Sequence, residues 1–199
     1  MAAINVRGTG GSGKSTLVRN IMARYPQKQA CFIPGRRQPI SYLLSRPGVP
    51  DLRVIGHYET ACGGCDTVTS PDVVYTFVND AVRAGEHVLF EGIIIGDDVT
   101  RAVDLKKVTD LYVIALNTPL EVCIAGIQAR RDARGETKPL SEKNTRDRAD
   151  RLKRIMARLK DASVNARWMS RDDALAEVAG ILGVGQLADV EEQMRKEDA

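Results

Sequence analysis

The run Gly8-Thr9-Gly10-Gly11-Ser12-Gly13-Lys14-Ser15, with Thr16 behind it, fits the spacing G-x-x-x-x-G-K-[ST] in full. Each residue type has a chemical reason. Glycines let the backbone curl until several N–H groups face one point, which suits the oxygens of a polyphosphate. A helix starting at Lys14 would add its positive end. Lys14 would reach the β- and γ-phosphates, and the Ser15 hydroxyl would hold Mg²⁺. This is the Walker A pattern of a P-loop, and it predicts ATP and Mg²⁺ as the bound species.

Carboxylates at other positions could complete the chemistry. Glu91 ends the apolar run Val88-Leu89-Phe90 and is followed by Gly92. At the C-terminal end of a buried strand it could act on Mg²⁺ beside Ser15, or on an acceptor hydroxyl. Asp66 and Glu59 precede a predicted helix, where an acceptor would bind. Asp66 is the candidate base that aligns or deprotonates the attacking hydroxyl, with a simple turn-forming Asp as the alternative. Arg130 and Arg134 are four apart and share a helical face. They could clamp phosphates, or merely complement the helix dipole. Arg36 and Arg37 would lie on the substrate side, where Tyr58 and Tyr42 are candidates for stacking on a base.

Other features have more than one reading. Cys62-Gly63-Gly64-Cys65 is half of a zinc site that His57 and Cys31 could complete, or a redox pair, or a glycine-rich substrate loop. Arg146, Arg148, Arg151, Lys153, Arg154, Arg158 and Lys160 crowd one predicted helix. That is either a solvated face or a track for a phosphate backbone. Trp168 falls in a predicted buried strand and reads as core.

These residues need elements to hold them. The pattern predicts strands at 2–7, 30–34, 53–58, 87–95, 111–116 and 166–170. It predicts helices after Gly13, from Ser70 to Gly85, over 97–107, from Thr118 to about Arg134, from Ser141 to about 162, and over 171–182. The stretch 35–52, with three prolines and two glycines, reads as loop with at most a short helix. Alternation of strand and helix predicts an α/β fold: a parallel sheet of about five strands with helices on both faces. The predicted organisation is one domain over 1–184, a small lid near 131–145, and an acidic tail over 185–199.

Composition excludes several classes. The formal net charge is +3, too mild to demand nucleic acid though it permits an anionic substrate. No secretory leader or membrane-spanning run is visible, so a cytoplasmic location with reduced cysteines is expected. No N-K-x-D guanine-reading motif follows the strand ending Ala115-Leu116-Asn117-Thr118-Pro119. At 199 residues the chain is also short for an ATPase motor. A small kinase remains, with a non-kinase nucleotide-binding switch or ATPase as the weaker alternative.

GTGGSGKST, VLFEG and ALNTPLEVCIAGIQARRDARG together are similar to the adenylate-kinase-like group of P-loop kinases over roughly residues 3–183. The resemblance implies a five-stranded parallel core, ATP, Mg²⁺, a mobile lid, and nucleotide-phosphate contacts from Arg130 and Arg134. Gly126 departs from it, since many relatives carry an arginine there. Within that group, GHYETACGGCDTVTSPD followed by VLFEGIIIGDD resembles phage kinases that act on 5-hydroxymethyluracil within DNA. That resemblance implies a host-cytoplasmic enzyme of DNA hypermodification, whose partner is double-stranded DNA carrying modified bases. A kinase of free nucleosides, nucleotides or another small metabolite shares the same ATP chemistry. The sequence leaves the oligomeric state open.

Overall fold

The computed structural model describes residues 1–60, 63–68, 70–92, 99–137 and 140–185. The first strand, β1 (Ala2–Arg7), is buried along its whole length. A strand inside a parallel sheet is covered on both faces, so it needs such a run. Ala3 faces one hydrophobic cluster, while Ile4 and Val6 face the other. This alternation is the period-2 geometry of a strand.

The glycine-rich loop follows, and then α1 (Lys14–Met22). Next come β2 (Gln27–Cys31), β3 (Ser41–Ser45) and β4 (Leu52–Ile55). A single 3-10 turn at Cys65–Thr67 precedes α2 (Pro71–Arg83). Ser70 caps α2 by accepting from the Val73 N–H, and Pro71 occupies the first turn, where its missing N–H costs nothing. Beyond it lie β5 (His87–Glu91), α3 (Val99–Lys106), β6 (Asp110–Leu116) and α4 (Leu120–Asp132). The described chain ends with α5 (Glu142–Asp161), capped by Ser141, then β7 (Asn165–Met169) and α6 (Arg171–Leu182).

One sheet of seven strands runs in the order β2-β3-β4-β5-β1-β6-β7. From β4 to β7 every pairing is parallel. Helices α2, α3 and α5 cover one face, and α1 and α6 the other. The expected parallel core of five strands is therefore present. The sheet as a whole is larger and mixed, because β2 and β3 add an antiparallel hairpin beyond β4.

That hairpin corrects two expectations. The stretch 35–52 is not all loop, since β3 lies within it. Its signal is short: between Pro39 and Pro47 only Ile40, just before β3, and Tyr42 and Leu44 within it turn inward to the core. The strand expected at 30–34 sits earlier, at Gln27–Cys31, on polar residues that the sheet edge leaves exposed. Trp168 is a third correction. It is 44% exposed rather than core, because β7 forms the other sheet edge. Residues 93–98, which include part of the expected 87–95 strand and the start of the 97–107 helix, lie outside the described residues. So do 186–199, nearly all of the expected tail, and 138–139 within the expected lid. Among the described residues no helix is long and apolar enough to cross a membrane.

Candidate active site

The loop after β1 curls over the N-terminus of α1. Gly13 precedes that helix with no side-chain cap, so its first N–H groups are left for a ligand. Gly11 has φ +79, and a Cβ there would lie 2.9 Å from the Cys123 carbonyl carbon. Only glycine allows the loop to lie this close to α4. Two side chains lash the loop to the β6–α4 segment: Thr118 Oγ1 donates to Ser12 O at 2.9 Å, and Thr9 Oγ1 lies 3.1 Å from Cys123 Sγ.

Lys14 is buried, and its Nζ donates to Gly8 O at 2.9 Å and Thr9 O at 3.0 Å. Burial pulls its pKa below the usual lysine value, an effect opposed by the carboxylates of Glu91 and Asp66. Glu91 closes β5 only 2% exposed, and its Oε1 accepts from Ser15 Oγ at 2.7 Å. Burial raises the Glu91 pKa, while Lys14 and the Ser15 hydroxyl pull it back. The two shifts have one cause: a charge pair held in a poorly solvated place.

A cavity of about 610 Å³ opens over these groups. Its floor is the loop and α1, from Gly10 to Thr16. Asp66, Gly63 and Thr67 form one wall with Glu91, and Arg130, Gly126 and Ile127 of α4 another. Asp66 lies over Gly92, where a Cβ would come 3.0 Å from its Oδ1. Arg130 Nε donates to Gly126 O, which holds the guanidinium along α4. Lys14, Ser15, Glu91, Asp66 and Arg130, chosen on sequence grounds, thus share one cavity.

Arg19 and Arg148 line the same cavity and were not singled out for it. Arg148 was only one charge among the many of α5. Arg19 lies five residues after Lys14 with no motif around it; it donates to the carbonyls of Tyr58 and Thr60, tying α1 to the opposite wall.

Other candidates fall outside. Arg134 does not line the cavity, and its guanidinium pairs with Glu136 at 2.7 Å. Tyr58 is buried, its N–H donates to Tyr42 Oη, and burial drives its pKa well above 10. Tyr42 is buried as well, so neither ring is free to stack on a base. Their place beside the expected acceptor loops suggested stacking, but both rings belong to the core. Glu59 lies at the surface, accepting from Tyr42 Oη at 2.8 Å and pairing with Lys28 at 3.3 Å. Arg36 braces the Asp66 wall, donating to Thr67 O and Oγ1, and Arg37 is exposed beside it.

Cys62 lies outside the described residues. Cys65 is buried, and desolvation together with Glu91 pushes its thiol well above the usual range, the opposite of a reactive thiolate. Among the described residues no three His, Cys, Asp or Glu side chains gather as a metal cage. The Ser15–Glu91 pair suits Mg²⁺ instead, which takes one or two protein ligands and completes its shell with phosphates and water.

No family model matches the chain. It is 41% identical to a 5-hmdU DNA kinase of Pseudomonas phage PaMx11 over 181 residues, covering 90% of this chain and 96% of that one. It is 28% identical to a 5-hmdU DNA kinase of Pseudomonas phage M6, covering 92% of this chain and 98% of the relative. A third relative, the 5-hmdU DNA kinase of Delftia phage PhiW-14, is 28% identical over 83% of this chain and 65% of its own length. At this identity and coverage, the chain belongs to the family of 5-hmdU DNA kinases.

Proposed function

We propose that the chain is a P-loop kinase that transfers the γ-phosphoryl group of ATP to the hydroxymethyl oxygen of 5-hydroxymethyluracil within phage DNA, in the host cytoplasm. One observation carries the reading. The phosphate-binding curl and a solvent-reachable carboxylate, Asp66, line a single cavity, with Glu91 and Ser15 between them. Family membership supplies the acceptor.

Each residue then has a role. The loop N–H groups and the start of α1 bind the β- and γ-phosphates. On binding, Lys14 exchanges its two loop carbonyls for phosphate oxygens. Arg130 and Arg148 oppose charge on the transferring group from the α4 and α5 side, and the segment between those helices acts as the lid. Mg²⁺, held by Ser15 and Glu91, would neutralise phosphate charge. Asp66 orients the acceptor hydroxyl and takes its proton as that oxygen attacks the γ-phosphorus. The bond from phosphorus to the ADP oxygen breaks, leaving a phosphate monoester on the base.

The test is transfer of label from γ-labelled ATP to 5-hydroxymethyluracil DNA, unmodified DNA and free nucleosides, with Lys14→Ala as the background. Label on the modified DNA alone, absent with Lys14→Ala, is the expected outcome. Label on free nucleosides in preference to DNA would overturn the acceptor, and full activity in Lys14→Ala would overturn the site.

A further inference from the structure

The β2–β3 hairpin plays no part in the phosphate chemistry, yet its connecting loop is built onto the acceptor wall. The loop is closed at its base, where the Ile40 N–H donates to Cys31 O at 2.8 Å. It is turned at Ile33, whose carbonyl accepts from the Arg36 N–H and whose side chain packs on the core beneath α2. Arg36 pins it sideways, donating at 3.0 Å to the carbonyl of Thr67, a cavity residue adjacent to Asp66. On this fixed mount Phe32 is 58% exposed. A single exposed apolar side chain on a surface is ordinary. An exposed ring on a loop that Arg36 braces against Thr67 in the cavity wall is placed for use.

The charges around it select the occupant. Residues 32–40 hold Arg36 and Arg37 and no acid, and Arg37 is exposed. Lys28 on β2 is partly exposed, and Glu59 is its ion-pair partner. A cationic loop with an apolar ring at its front suits a polyanion that also offers stacked bases, which is duplex DNA. The reading of the chain as a kinase of bases in duplex DNA, on which this step rests, creates the need. A paired base cannot reach Asp66 from inside the stack, so it must swing out and leave a gap.

We infer that the 32–38 loop is the element that opens the duplex: Phe32 enters the space vacated by the extruded base, and Arg37 holds the neighbouring phosphate. Phe32 is a positioning residue in this scheme and touches neither ATP nor the reacting hydroxyl.

The test compares Phe32→Ala, Phe32→Leu and the unmodified enzyme on three oligonucleotides carrying 5-hydroxymethyluracil: paired with adenine, opposite an abasic site, and single-stranded. On the paired duplex Phe32→Ala should lose about tenfold or more in kcat/KM, the scale of one lost base–aromatic contact. Its rates on the other two substrates and its KM for ATP should stay unchanged. Phe32→Leu should recover most of the loss, since leucine also serves as a wedge. Fluorescence of 2-aminopurine beside the target should rise on binding of the unmodified enzyme and not of Phe32→Ala. Equal loss on all three substrates would make Phe32 merely structural and overturn the inference, as would undiminished activity on the duplex. An unmodified enzyme inert on every form of the modified DNA would remove the proposed function and this inference with it. An active one that ignores the Phe32 change removes the inference alone.

Discussion

Gly64 is the position at which one methyl group should separate folding from chemistry. Its φ of 79° and ψ of −164° lie in a region that is essentially restricted to glycine. A Cβ there would lie 2.6 Å from Glu91 Cδ and 3.1 Å from Cγ, and inside the contact radius of Oε1. The backbone cannot easily yield. Gly64 donates to His57 O at 2.8 Å, and Gly64 O accepts from Thr67 Oγ1 at 2.7 Å. The relief left is to push the Glu91 carboxylate away from Ser15. Backbone strain in Gly64→Ala costs about 1–3 kcal/mol, and the lost hydrogen bond to a charged group about 1.5–3 kcal/mol.

Gly85→Ala is the matched control. Its φ is +77, and a Cβ there meets nothing within 4 Å. It should lose about 1–2 kcal/mol from the backbone alone and keep full activity. Urea unfolding and labelled-phosphate transfer, run on both variants, supply the two numbers. Gly64→Ala should be the less stable by about 2 kcal/mol, and its kcat should fall by roughly 10- to 150-fold if the Glu91–Ser15 contact is present in the transition state. Equal stabilities with unaltered kcat would refute the claim that the acceptor segment is packed against a working carboxylate.

Two further outcomes follow from the same site. Asp66→Asn should depress turnover while leaving ATP affinity, measured by calorimetry, within about a factor of two, because asparagine keeps the shape but cannot take a proton. Glu91 should titrate above the ordinary carboxylate value, followed by carboxyl-carbon NMR, and Lys14→Met should move it higher still by removing the cation that opposes its burial. Because the folded pKa is the higher one, this group's contribution to stability is fullest below the unfolded value of about 4.3 and is lost as pH rises through the folded value. Glu91→Gln should flatten stability against pH across that window.

The two halves of the proposed site differ in how far they could be read from the chain, and the reason is physical. The donor half is made by backbone. Its glycines, its lysine and the helix start are contiguous, so the spacing of eight residues fixes the geometry almost alone. Glu91 was legible for a related reason: an apolar run that ends in an acid marks the C-terminal edge of a buried strand. The acceptor half is made by side chains that converge from distant segments. Arg19 belongs there because its guanidinium crosses to the carbonyls of Tyr58 and Thr60, and Arg148 because it reaches the cavity from α5. No local pattern encodes those reaches.

The same distinction explains the misplaced aromatics. A tyrosine close in sequence to an acceptor loop reads as a platform for a base, whereas Tyr42 and Tyr58 point inward because β3 exists, and β3 is nearly silent as a pattern. With β3 in place Phe32 stays exposed, carried past the end of β2 rather than inside a strand. One unrecognised strand therefore decides which of these aromatics are buried and which stays at the surface. An edge hairpin will mislead sequence reading wherever polar residues such as Gln27-Lys28-Gln29 form the outer strand, because an edge strand that must avoid pairing with other chains is selected to look unlike a strand.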